Sequence, residues 1–240
     1  MKRTILLLLI SLLACGQPKI SQAPEQKPVE STDTILAATT PDTTGVVKPA
    51  KKHATLDYDS TSWTDVSVMD STIVLDLKYA TADNFVKTPM YECPRCWLRP
   101  QVAKAVLKAH HIFQQMGYGG VKMFDCYRPR PIQWKLWEKV PDPRFVADPH
   151  KGSMHNRGAA VDMTIVDSTG QEIEMGTPFD YFGKKAYHNY KDLPEEVLAH
   201  RQLLKSTMES LGFEPTSTEW WHYAYVRRNY PLSDVLWKCY

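Results

Sequence analysis

Residues 16–59 contain no Phe or Trp and no Tyr before Tyr58, while Pro, Thr, Ser and Lys recur throughout. Such a stretch cannot bury enough apolar surface to offset the entropy of ordering it. It reads as a tether, semi-extended where prolines recur. Whatever folds must be built from residues 60–240, and roughly 180 residues are ample for one core. All seven Trp and all seven Phe fall there, which gives that core its large anchors.

Ahead of the tether, MKRTILLLLISLLAC places Lys2 and Arg3 before an apolar run that ends at Ala14-Cys15. The run is shorter than the roughly 20 residues a spanning helix needs and reads as a secretory signal peptide. Leu12-Leu13-Ala14-Cys15 resembles the bacterial lipoprotein box, which implies cleavage before Cys15 and lipid on its sulfur. An ordinary signal peptide with an incidental Cys is the other reading. The expected organisation is a signal peptide with lipobox (1–15), a disordered tether (16–59) and a folded domain (60–240), exported and lipid-anchored in a bacterial cell envelope. Removing Lys2 and Arg3 from the 29 basic residues leaves 27, against 27 acidic ones. A formally neutral mature chain offers no electrostatic reason for a nucleic-acid partner.

Four further cysteines, Cys93, Cys96, Cys126 and Cys239, lie in the domain. An exported location permits disulfides, and four cysteines allow three pairings between which sequence does not choose. Cys93-Pro94-Arg95-Cys96 also has the spacing of a redox pair or half a zinc knuckle. The second half of a knuckle is missing, whereas a following helix keeps the redox reading open.

Periodicity supplies the elements. Residues 71–81 have strand composition, and 100–116 form an amphipathic helix with Pro100 in its first turn and Val102, Val106, Ala109 and Phe113 on one face. Residues 121–127 read as a strand broken by the prolines of RPRP, and 132–140 as a short helix. A loop over 141–158 is followed by a strand at 159–166, a helix at 194–210 and an aromatic strand at 220–226. Helices and strands without βαβ regularity predict an α+β domain, with a central antiparallel sheet flanked by helices.

Three stretches carry candidate chemistry. SMHNRGAAVDMTI sets His155 seven residues before Asp162, a carboxylate inside an apolar strand. On pattern alone Asp162 reads equally as the solvent-facing residue of a half-exposed sheet, and His155 as a loop histidine. In TEWWHY, Glu219 and His222 are three apart, which puts them on opposite sides of a regular strand. Glu219 is expected in a loop or bulge before the strand, where a bulge could turn both inward. In DCYRPRP, Arg128 leaves a strand end next to Pro129. Together these groups form a toolkit for zinc-dependent amide hydrolysis: two imidazoles and a carboxylate as ligands, a second carboxylate as base and a guanidinium for an oxyanion. Gly158 and the paired alanines are expected to let the backbone bend close to the metal.

Ser153-x-His155-x6-Asp162 with a downstream Glu219-x-x-His222 is similar to the signature of the D-Ala-D-Ala metallopeptidases, which share a core with lysostaphin-type peptidases and hedgehog domains. Within that group the chain most resembles the D-alanyl-D-alanine dipeptidases of the vancomycin-resistance type. DLKYATADNF, CWLRPQVAKAV, DCYRP and MGTPFDYF extend the likeness over residues 66–240. The resemblance implies one zinc ion per chain on His155, Asp162 and His222, with Glu219 as general base and Arg128 as stabiliser of the intermediate. It also implies Ser153 near the substrate carboxylate, Asp180 near its ammonium, and hydrolysis of D-Ala-D-Ala to two D-alanines. A D,D-carboxypeptidase acting on peptidoglycan stem peptides is the alternative, followed by a non-catalytic binding module. One departure stands out: Gly183, Lys184 and Lys185 follow FDYF where the family carries acids, and this bears on how the ammonium is recognised.

Overall fold

The computed structural model describes residues 62–237 and residue 239. The expected signal peptide, Cys15 and the whole of the expected tether lie outside the described residues. The elements are β1 (Thr64–Asp65), α1 (Val66–Met69), β2 (Val74–Leu75), β3 (Trp97–Leu98), α2 (Pro100–Gln115), β4 (Gly120–Asp125) and α3 (Arg130–Lys139). They continue with β5 (Ala160–Val166), α4 (Glu195–Ser210), β6 (Phe213–Pro215) and β7 (His222–Tyr225). One five-stranded sheet runs in the order β2-β4-β5-β7-β6, and β1 and β3 form a separate two-stranded ribbon. The main sheet is antiparallel except at its β2 edge, where β2 pairs in parallel with β4. The chain can return in parallel there because the long segment carrying β3 and α2 intervenes.

α2 packs on β4, α4 packs on β6, and the two helices touch each other. Val102, Val106, Ala109 and Phe113 of α2 and Leu204 and Met208 of α4 share one core with Val121, Met123, Val161, Met163 and Ile165 from the strands. Pro100 occupies the first turn of α2, and Gly117 follows its end at φ +92°. α3 packs a smaller cluster, in which Ile132 and Leu136 meet Tyr79, Tyr91 and Val146.

Several elements differ from expectation. Of residues 71–81 only Val74–Leu75 is strand, because the chain turns through a 3-10 segment at Lys78–Ala80 that buries Tyr79. Helix α3 begins at Arg130, with Pro131 tolerated in its first turn. β6 was not expected at all; three residues at an edge carry little periodicity. Trp220 and Trp221 precede β7 instead of belonging to it, and their perpendicular rings are buried. β5 is buried along its whole length, so Asp162 is not a solvent-facing residue of a half-exposed sheet.

Two disulfides, Cys96–Cys126 and Cys93–Cys239, use all four domain cysteines. Cys93 and Cys96 are therefore bonded elsewhere and not to each other, contrary to a redox pair. No helix among the described residues is long and apolar enough to cross a membrane.

Candidate active site

The site grows from the register of three strands. Asp162 of β5 stands opposite His222 of β7 and opposite Asp125 of β4. Cross-strand partners share a face, so these three groups point the same way. On β4 this takes an irregularity: the pairing moves from Met123↔Met163 to Asp125↔Asp162, with Phe124 as the extra residue. That bulge turns Asp125 toward the site. Of the loop or bulge expected before β7 the structure has the loop, a turn closed by His222 N–H donating to the Glu219 carbonyl (3.4 Å).

His155 arrives from a 3-10 turn (His155–Arg157) that ends in Gly158 at φ +66°. Glycine is required there by this positive φ and because a Cβ would strike the Trp63 ring. The His155 Nδ1–H donates to the Cys126 carbonyl at 2.6 Å, which turns Nε2 toward the other two groups. Nε2 lies 3.3 Å from Asp162 Oδ2 and 3.2 Å from His222 Nδ1, and His222 Nδ1 lies 2.9 Å from Asp162 Oδ1. One ligand atom from each of His155, Asp162 and His222 falls within 4.8 Å of the others, and among the described residues no other His/Cys/Asp/Glu group converges in this way. Burial alone would raise the Asp162 pKa; His155 and His222 outweigh it and hold the carboxylate well below its ordinary range.

These groups open into a cleft of about 320 Å³ that Arg128, Ser153, Asp180 and Glu219 also line. Arg128 is buried, with Nε and Nη2 donating to Asp125 Oδ2 (2.9 and 2.6 Å), Nη1 donating to Gln133 Oε1 (3.0 Å), and its Cζ 4.9 Å from the centre of the Tyr79 ring. Burial works against its charge, but Asp125 more than offsets this and drives the pKa well above the ordinary arginine value. Five N–H groups less three such bonds leave one on each terminal nitrogen. Glu219 and Asp180 are the reverse case. Burial raises the Glu219 pKa to about 7, and burial followed by repulsion from Asp162 raises Asp180 to about 8. Asp180 sits at φ +57° and accepts from the Tyr79 hydroxyl at 2.9 Å. Lys184 and Lys185 are exposed and do not line the cleft, so the departure from family acids leaves the cleft wall untouched.

Several contributors escaped the sequence reading. Asp125 and Gln133 fix the guanidinium, and Tyr91 donates to Asp125 Oδ1 at 3.1 Å. Asn156 donates to the Arg128 carbonyl at 2.6 Å and accepts from Ser153 N–H at 2.8 Å, tying the two sides of the cleft together. Asp125 was within sight, since it stands in the DCYRP stretch three residues before Arg128.

A family model described as D-ala-D-ala dipeptidase (Peptidase_M15) matches residues 59–235. The chain is 34% identical over 183 residues to the D-alanyl-D-alanine dipeptidase of Escherichia coli K12, covering 76% of this chain and 94% of that protein. It is 32% identical over 179 residues to the enzyme of the same name from Enterococcus faecium, covering 66% and 88%. A solved vancomycin-resistance D,D-pentapeptidase in complex with Zn(II) aligns with 16% identity and a TM-score of 0.37, over 54% of this chain and 73% of that one.

Proposed function

The chain belongs to the D-Ala-D-Ala dipeptidase family of M15 peptidases, and on that premise we propose that it is a zinc enzyme that hydrolyses free D-Ala-D-Ala to two D-alanines. The observation that carries the metal is the convergence of His155, Asp162 and His222. Two imidazoles and one carboxylate are the donor set of a catalytic zinc that keeps a position open. The Cys126 carbonyl on His155 Nδ1 is the kind of outer partner that fixes a ligand histidine's tautomer. When bound, zinc supplies Lewis acidity and makes water nucleophilic near neutral pH.

The residues around it divide the remaining work. Glu219 takes the proton of the attacking water and passes it to the leaving amine. A carboxylate with a pKa near 7 suits both transfers. Arg128, its geometry fixed by Asp125 and Gln133, offers its free N–H groups to the oxygen on which negative charge develops. Ser153 receives the substrate carboxylate. Asp180 receives the ammonium, and an arriving cation would draw off the proton that burial keeps on the carboxyl.

The test is turnover of D-Ala-D-Ala against turnover of a pentapeptide ending in D-Ala-D-Ala. The dipeptide should be preferred by kcat/KM, and preference for the pentapeptide would overturn the reading.

We also infer export and lipidation at Cys15, so that the substrate is dipeptide released from the cell wall. Residues 1–15 support this, as does a domain whose four cysteines are all paired. Mass spectrometry of the mature protein should find a lipid on an N-terminal Cys15; an unmodified Met1 would refute it.

A further inference from the structure

A second cleft of about 410 Å³ adjoins the first. Only Phe85 and Asp180 line both. Asp180 stands at the acidic end of the catalytic cleft, where the amino end of a dipeptide belongs by charge. The second cleft therefore lies where a residue acylating that amino end would have to go. Beside Asp180, what separates the two is aromatic. The Phe85 ring packs edge-on against Phe182 at 5.1 Å and against Tyr79 at 6.1 Å, and Phe145 closes on Phe182 at 4.8 Å. Phe85, Phe145 and Phe182 come from three different loops, so the wall is assembled by tertiary packing.

The wall is also held rigid. The side chain of Asn84 is buried, and its Nδ2 reaches the carbonyls of Lys78 (3.2 Å), Thr81 (2.7 Å) and Thr88 (3.0 Å), while its Oδ1 accepts from Val86 N–H (3.0 Å). The loop that presents Phe85 is thus pinned on both sides of the ring. Behind it the second cleft is mixed in character, with Lys78, Asp83, Lys87 and Glu172 on its walls beside Phe124, Pro178 and Phe179. Charged groups beside apolar rings can accept the backbone and side chain of a peptide extension.

We infer that Phe85, backed by Phe182, is the specificity-determining partition that confines the enzyme to free dipeptides, and that removing it joins the two clefts into a groove for amino-extended peptides. The inference rests on the dipeptidase reading for which end of the substrate faces Asp180.

The experiment compares D-Ala-D-Ala with N-acetyl-L-Lys-D-Ala-D-Ala. Binding is measured by calorimetry on zinc-loaded Glu219→Gln protein, and hydrolysis on protein with Glu219 intact. Phe85→Ala should raise the ratio of extended-peptide to dipeptide affinity by about tenfold or more, the scale on which space in a pocket discriminates. The kcat/KM ratio should move in the same direction. Phe182→Ala, which removes a partly exposed ring, should shift both ratios the same way by less, and it carries the test if Phe85→Ala does not fold. Unchanged ratios in the variants, or a parent protein that binds both peptides equally, would overturn the partition. A shift in the affinity ratio in protein that fails to hydrolyse D-Ala-D-Ala would support the partition and refute the dipeptidase activity, so the two readings fail separately.

Discussion

Glu219→Gln should lower kcat by a factor on the order of 10² to 10⁴, the range a positioned general base contributes, while leaving zinc content at one per chain. Glutamine keeps the volume and the acceptor oxygen but has no basic site. The three converging donors belong to other residues, so metal affinity has no reason to fall. The pH dependence follows from burial, which raises the Glu219 pKa to about 7. Below that pKa the carboxyl is protonated and cannot accept, so activity should fall as pH drops through it. A bound divalent cation favours the ionised form, which places the acid limb of the profile at or below about 7. In the glutamine variant that limb should vanish from whatever activity remains. Stopped assays across pH 5–9, paired with metal analysis by mass spectrometry, would measure both effects. A variant that kept more than a tenth of wild-type turnover would remove Glu219 from the role of base, and one that lost its zinc would make it a ligand.

What could be read from the sequence divides along physical lines. Helix α2 was legible because sixteen residues with a proline at the start and apolar positions at helical spacing leave little choice. The interior of β5 was legible as a strand but not as a buried one. Alternation cannot tell a carboxylate facing water from one facing two imidazoles, since both look like Asp162 in an apolar run. The turn at Glu219 was foreseen as a departure from the strand, because period two would have set Glu219 and His222 on opposite sides. The bulge at Phe124 could not be foreseen: it exists only in the pairing of β4 with β5, which sequence does not print. The same holds for the disulfides, where three pairings were equal until the fold brought Cys96 to Cys126. Lys184 and Lys185 looked like a contradiction in the one-dimensional text, yet they are exposed and stand clear of the cleft. Distance along the chain was a poor guide to which charges share a pocket.

Arg128→Ala is expected to produce two losses of different origin, and a second substitution should separate them. The first is catalytic: removing one donor to a developing oxyanion typically reduces turnover by about 10² to 10³. The second is structural. Asp125 is almost wholly buried and takes two guanidinium bonds at 2.9 and 2.6 Å, so deleting the cation leaves an uncompensated buried charge. Breaking a buried pair in that way costs roughly 3–5 kcal/mol. The double variant Asp125→Asn, Arg128→Ala removes that charge while its amide can still accept from Tyr91. Urea unfolding should show the double variant recovering most of the stability lost in Arg128→Ala, with a coupling energy beyond simple additivity. Turnover should not recover, because the donor is still missing. Arg128→Lys sharpens the contrast: a point charge can restore part of the pairing with Asp125 but cannot span Asp125, Gln133 and the cleft at once. If the double variant regained wild-type turnover together with stability, Arg128 would be only a brace for the end of β4, and the oxyanion would need another donor.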